Sequence, residues 1–71
     1  MYETLEGPVL QVQTISIHGA VFYEVVLQTS HAPRRLRFQD TFLHPGPIAG
    51  EHLRIELILG NVHDVQRIAA P

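Results

Sequence analysis

The sequence predicts an all-β fold, a small five-stranded barrel that forms a single domain over residues 1–71. Glycine, proline and other turn-forming residues recur every 8 to 14 positions, which is typical of a chain of short strands. The stretches between these turns are rich in β-branched and aromatic residues, which favour strands. These runs are the five predicted strands, at 8–17, 20–29, 34–40, 52–59 and 62–68.

The first and second strands are predicted to form a hairpin. His18-Gly19 suits a two-residue turn, because both residues tolerate the left-handed backbone that such turns require. This turn places Val12 opposite Val25 and Leu10 opposite Leu27.

The second and third strands are predicted to form a second hairpin and so to complete a meander of three strands. A four-residue loop at 30–33 places Leu27 opposite Leu36 and Val25 opposite Phe38. The two hairpins therefore agree on one buried face. Its members are Leu10, Val12, Val25, Leu27, Leu36 and Phe38.

The residues nearest the first turn have the opposite alternation. Ile15, Ile17 and Phe22 fall on the face away from Val12 and Val25. Either the first strand has a bulge near residues 13–14 and serves two sheets, or the hairpin end exposes an apolar patch.

The remaining chain predicts a loop and a C-terminal hairpin. Ile48 is expected to reach the core from the loop, and Gly60-Asn61 suits a turn into the last strand. The last run is ambiguous, because Asn61 could also start a short helix; we favour a bulged strand. The strand before the turn alternates clearly, with one face formed by Leu53, Ile55, Leu57 and Leu59.

This pattern resembles the OB-fold along nearly the whole chain. The resemblance is carried by "EGPVLQVQTISIHGAVFYEVVLQT", then "RRLRF", then "IAGEHLRIELILGNVHDVQRI". The loop "HPGP" departs from it, because its prolines disfavour the helix that commonly joins strands three and four. An SH3-like barrel is therefore the alternative. The OB resemblance implies binding of single-stranded nucleic acid as one expected function.

Composition excludes several chemistries. The chain has no cysteine, so disulfides and thiolate zinc sites are excluded. It has no lysine either, which excludes a P-loop and Schiff-base catalysis. No apolar run is long enough to cross a membrane and the first residues are acidic, so we expect a cytoplasmic protein without a signal peptide.

Arginines give the first candidate site. Three of the five arginines fall within four residues of the third predicted strand, and a phosphate backbone could bind to such a basic strip. The net charge of −2 argues against nucleic-acid binding, because binding of phosphates favours a basic protein. The predicted nucleic-acid-binding residues are Arg34, Arg35, Arg37, Arg54 and Phe22.

Outward apolar residues give the second candidate site. Several such residues on a chain that is 45% hydrophobic favour a surface that another protein or a second copy covers. The members of this predicted interaction patch are Ile15, Ile17, Phe22, Val26 and Ile58.

No catalytic site, cofactor or metal site is predicted. The five histidines lack the close spacing of metal ligands, and no serine lies in a nucleophile motif. We therefore expect a non-enzymatic binding module that acts through protein–protein interaction or self-assembly, with single-stranded nucleic-acid binding as the alternative.

Overall fold

The computed structural model describes residues 1–71 as one antiparallel sheet of five strands, in the order β3-β2-β1-β4-β5. The edge strands β3 and β5 are not hydrogen-bonded to each other, so the sheet is not closed into a barrel. A 3₁₀ turn is the single helical segment, and it is far too short to cross a membrane. The elements are β1 (Tyr2–Ile17), β2 (Ala20–Gln28), β3 (Pro33–Gln39), the 3₁₀ turn (Asp40–Phe42), β4 (His52–Ile58) and β5 (Asn61–Ile68). The all-β prediction with five strands is confirmed.

Strand β1 is longer than predicted and joins the two halves of the sheet. Residues 2–8 pair with β4, whereas residues 9–17 pair with β2. Gly7-Pro8 is one of the glycine- and proline-containing sites that predict a turn, which is why the first strand is expected to begin at Pro8; this expectation is wrong, because β1 runs through both residues. Proline is tolerated there because its missing N–H lies on the side away from β4, before the pairing with β2 begins.

A bulge in β1 marks the change of partner. The register with β2 shifts between Val9 and Gln11, so Val9 rather than Leu10 lies opposite Leu27. Leu10 is 51% exposed, which corrects its predicted place in the core. The bulge predicted near residues 13–14 therefore exists in the same strand but nearer the middle of β1.

The β1–β2 turn at His18-Gly19 is confirmed. Both residues have positive φ, 50° and 83°, as a type I′ turn requires, and glycine adopts this conformation without a steric penalty. Val12 pairs with Val25, as predicted, and Ile17 pairs with Ala20 across the turn.

The β2–β3 hairpin keeps the predicted faces in a different register. Its four-residue loop is Thr29–Ala32, one residue earlier than predicted, so Val25 pairs with Leu36 rather than with Phe38. A shift of two positions leaves every side chain on its predicted side of the sheet. Arg35 consequently lies opposite Val26, and Arg37 lies opposite Glu24.

The C-terminal hairpin turns one residue earlier than predicted, at Leu59-Gly60. Leu59 is therefore in the turn and 75% exposed, not on the buried face of β4. Ile48 is 64% exposed and does not enter the core, which corrects that expectation. The last run is a strand, and His63 is the extra residue of a bulge opposite β4, so the bulged-strand prediction is confirmed.

The core lies on one side of the sheet and contains residues from every strand. Tyr23 and Phe42 pack against its rim, and their rings meet Phe38 edge to face. The eleven buried apolar residues are Leu5, Val9, Val25, Leu27, Leu36, Phe38, Leu43, Leu53, Ile55, Leu57 and Val65.

Candidate interaction surface

Three of the five predicted patch residues lie together at the free end of the β1–β2 hairpin. Ile15 pairs directly with Phe22, and Ile17 follows two positions along the same face of β1. Ile17 is 39% exposed, and the other two side chains are half-buried. We call Ile15, Ile17 and Phe22 the tip surface.

The hairpin end projects as a two-stranded ribbon. Pairing of β2 with β3 ends at Phe22 and Gln39, and pairing of β1 with β4 ends at Pro8. Residues 16–21 therefore have no further strand on either side; Ile17 lies on this ribbon, and Ile15 and Phe22 lie at its base. A two-stranded ribbon is marginally stable in water on its own, so apolar side chains on one would gain from a covering partner.

The other two patch residues lie apart from the tip surface. Glu24 separates Val26 from Phe22 along the same face of β2. Ile58 pairs with Tyr2, at the opposite end of β1 from Ile15. The structure thus brings together three of the five predicted residues and leaves Val26 and Ile58 outside that cluster.

The tip surface lies in a long uncharged part of the chain. No acidic or basic side chain occurs between Glu6 and Glu24, apart from the imidazole of His18. The end of the β1–β2 hairpin therefore carries no carboxylate or guanidinium of its own, and the neighbouring Glu24 is paired with Arg35 and Arg37. Two copies can meet there without bringing like charges together.

The predicted arginine strip is paired with carboxylates on the neighbouring strands. Glu24 accepts hydrogen bonds from Arg35 at 3.0 Å and from Arg37 at 3.2 Å. These hydrogen bonds and the two positive charges lower the pKa of the Glu24 carboxyl. Arg35 and Arg37 thus share one carboxylate on the outer face of β2–β3.

Arg34 and Arg54 are also in ion pairs, each with a different glutamate of β1. Arg34 reaches Glu3 of β1 at 3.3 Å. Arg54 donates to Glu6 at 2.6 Å, which raises the pKa of its guanidinium. The structure therefore places Arg54 in the β1–β4 half of the sheet, away from Arg35 and Arg37.

Arg67 has a structural role that the sequence did not indicate. Its guanidinium donates to Glu51 at 2.7 Å and to the carbonyl oxygens of Pro45 and Gly46 at 2.5 and 2.7 Å. It thereby ties the loop before β4 to the edge strand β5. The contact involves residues 16 or more positions apart, so no local sequence signal reveals it.

A polar groove of about 690 Å³ lies between the first half of β1 and the β2–β3 loop. One wall is formed by residues 3–6, and the other by residues 29–32 together with Arg34. The Glu3–Arg34 ion pair spans the two walls. Nowhere in the structure, the groove included, do three histidine, aspartate or glutamate side chains lie close enough together to hold a metal ion.

Comparisons with known proteins add no relative: no family model matches the chain, and neither do curated proteins or solved structures.

Proposed function

We propose that this protein is a non-enzymatic binding module of the cytoplasm that self-assembles, with the tip surface of one copy packing against that of a second. One observation carries the proposal: Ile15, Ile17 and Phe22 form an apolar cluster at the free end of the β1–β2 hairpin. The core already has eleven buried residues without them, so the fold does not need these side chains inside.

A second copy is the occupant that the charges favour. The tip surface is neutral, whereas many protein partners would be expected to offer charged groups that this surface cannot satisfy. In a contact with two-fold symmetry, the Ile15–Phe22 pair of one copy would pack against the same pair of the other copy. Burial of these apolar side chains in a dimer would increase the free energy of unfolding, which is small for a chain of 71 residues.

The substitution Phe22→Glu tests the proposal through the molecular mass in solution. A carboxylate at the centre of the contact would be buried against its equivalent, so the dimer is expected to weaken by more than tenfold. The matched control is Ile48→Glu, which adds the same charge at an exposed apolar residue far from the tip.

Light scattering over a range of concentrations gives the mass, and circular dichroism checks that both variants fold. The proposal expects a dimer for the wild-type chain and Ile48→Glu, and a monomer for Phe22→Glu. A folded Phe22→Glu variant with the wild-type mass would remove the tip surface from the interface.

We further propose that the sheet is an open form of the OB architecture. The strand order β3-β2-β1-β4-β5 and a long first strand shared between two halves support this assignment. The two edges β3 and β5 would be the pair that closes in a complete barrel.

Single-stranded nucleic-acid binding is the second candidate function. It is favoured by the excess of one positive charge where Arg35 and Arg37 share Glu24, two positions from Phe22 on β2. Anisotropy of a labelled single strand tests it. Binding at physiological salt that Arg35→Ala with Arg37→Ala weakens would favour this function; no binding at that salt would exclude it.

A further inference from the structure

We propose that the groove beside β1 binds an extended segment of a partner polypeptide, which adds a strand along residues 3–6. This site is separate from the tip surface, at the other end of β1. Its lining includes Thr4, Glu6 and the loop at residues 29–32. The argument rests on the backbone of β1, which has a free edge there.

Hydrogen bonds at both ends of the β1–β4 pairing show which residues form that edge. Leu59 donates its N–H to the carbonyl of Met1 at 2.9 Å, and Val9 donates to Glu51 at 2.8 Å. In an antiparallel pair, alternate residues face the partner strand. Odd-numbered residues of this half therefore bond to β4, whereas the N–H and C=O groups of Thr4 and Glu6 point away from it.

Strand β2 does not reach this edge. Its pairing with β1 begins at Val9, and Gly7 lies against the backbone of Gln28 as the chains part. The loop that follows is closed on itself, because the Thr29 hydroxyl accepts from the Ala32 N–H at 3.2 Å and donates to the Ala32 carbonyl at 2.7 Å. The loop thus forms a wall, and the β1 edge keeps its backbone groups free.

An extended backbone is the ligand that such an edge selects. Free N–H and C=O groups on alternate residues match the spacing of a strand, as in other cases of strand addition. The charges of the walls are balanced, because Glu3 pairs with Arg34 and Glu6 pairs with Arg54. A charged side chain on the bound segment would compete with these ion pairs. We therefore expect an extended segment without charged residues.

The test is selection from a phage library of random linear peptides on the immobilised full chain. Enriched peptides are then synthesised and titrated against the wild-type chain and against two variants, Thr4→Pro and Thr4→Val. Thr4→Pro removes the N–H from the free edge without removing a bond to β4, so it should weaken binding by about tenfold or more. Thr4→Val keeps that N–H and should bind as the wild type does.

Amide hydrogen exchange on the wild-type chain gives a readout that does not depend on any variant. Bound peptide should slow exchange of the Thr4 and Glu6 amides, while Leu5 and Gly7 are already protected by β4. Uncharged peptides that give this pattern support the proposal. Failure to enrich any peptide, or peptides that protect other residues, would overturn it. Neither result bears on self-assembly at the tip surface, which the mass of Phe22→Glu decides.

Discussion

Gly7 lies where β1 leaves β4 and approaches β2, and the space there admits no side chain. An added Cβ would be 1.8 Å from the carbonyl oxygen of Gln28. Backbone atoms cannot yield as the end of a flexible side chain does. The close approach therefore fixes this position as glycine, although its neighbour Pro8 made it look like a turn in the sequence.

Gly7→Ala is expected to lower the free energy of unfolding by about 2–3 kcal/mol, because β1 and β2 must separate to relieve the overlap. Urea denaturation measures this change. The control is Gly60→Ala, which meets no atom within 4 Å and costs only the left-handed backbone penalty of about 1–2 kcal/mol. Equal destabilisation by the two variants would contradict the close-approach argument.

Glu24 is the residue on which the arginine strip depends. Its pKa in the folded chain lies below the ordinary value, because Arg35 and Arg37 favour the carboxylate. The pairing thus stabilises the fold above the ordinary pKa of a glutamate. That stability is lost as the pH falls through the lower, folded pKa.

Glu24→Gln should therefore be less stable than the wild type at neutral pH, and the two should converge in acid. Thermal unfolding across pH measures the difference. Asp40→Asn is the control, because Asp40 forms no ion pair. The difference in stability between Asp40→Asn and the wild type should be smaller at neutral pH than that of Glu24→Gln. A Glu24→Gln deficit that persists unchanged in acid would contradict the assigned cause.

At the scale of elements, the two tight hairpins differ in how well their turns suit the backbone. His18-Gly19 matches a type I′ turn, whereas Leu59 has a φ of 52° and is 75% exposed. A leucine in the left-handed region is strained and here buries little surface in return.

Leu59→Asn should stabilise the fold by about 1 kcal/mol, because Asn-Gly is favoured in type I′ turns. The midpoint of urea denaturation reports the gain. His18→Asn is a suitable comparison, since histidine tolerates the same conformation better than leucine, and we expect a smaller gain. A loss of stability in Leu59→Asn would mean that the exposed leucine has a contact outside this chain.

The elements also show how far the sequence leads. Alternation about the His18-Gly19 turn correctly predicted the faces of residues 12–17 and of β2, and hence that Ile15, Ile17 and Phe22 share one side. A register error of two positions at β3 did no harm, because the period of a strand is two. The bulge at Leu10 was misplaced, since an extra residue leaves little trace in a short pattern.

The long-range contacts could not be predicted from the sequence. Glu3 and Glu6 read as a polar start to the chain, yet they lie in β1 and pair with Arg34 and Arg54. The three contacts of Arg67 depend on a loop whose path no local pattern specifies. Partners this far apart along the chain can be identified only once the order of the strands in the sheet is known.

At the scale of the whole molecule, two unsatisfied features lie at opposite ends of β1. The tip surface leaves apolar area uncovered at the free end of the β1–β2 hairpin. The groove leaves backbone groups unpaired at Thr4 and Glu6. A partner that covers either feature would stabilise this small open sheet with its eleven buried apolar residues. The tip surface would bury more apolar area than the groove, so its contribution should be larger.

The most direct test of self-assembly is an isotope-filtered nuclear Overhauser experiment on an equal mixture of labelled and unlabelled chains. It detects only contacts between different copies. Self-assembly through the tip surface predicts cross-peaks from the Phe22 ring of one copy to the Ile15 or Ile17 methyl groups of the other. A dimer whose cross-peaks arise elsewhere, or a monomer with none, would contradict it.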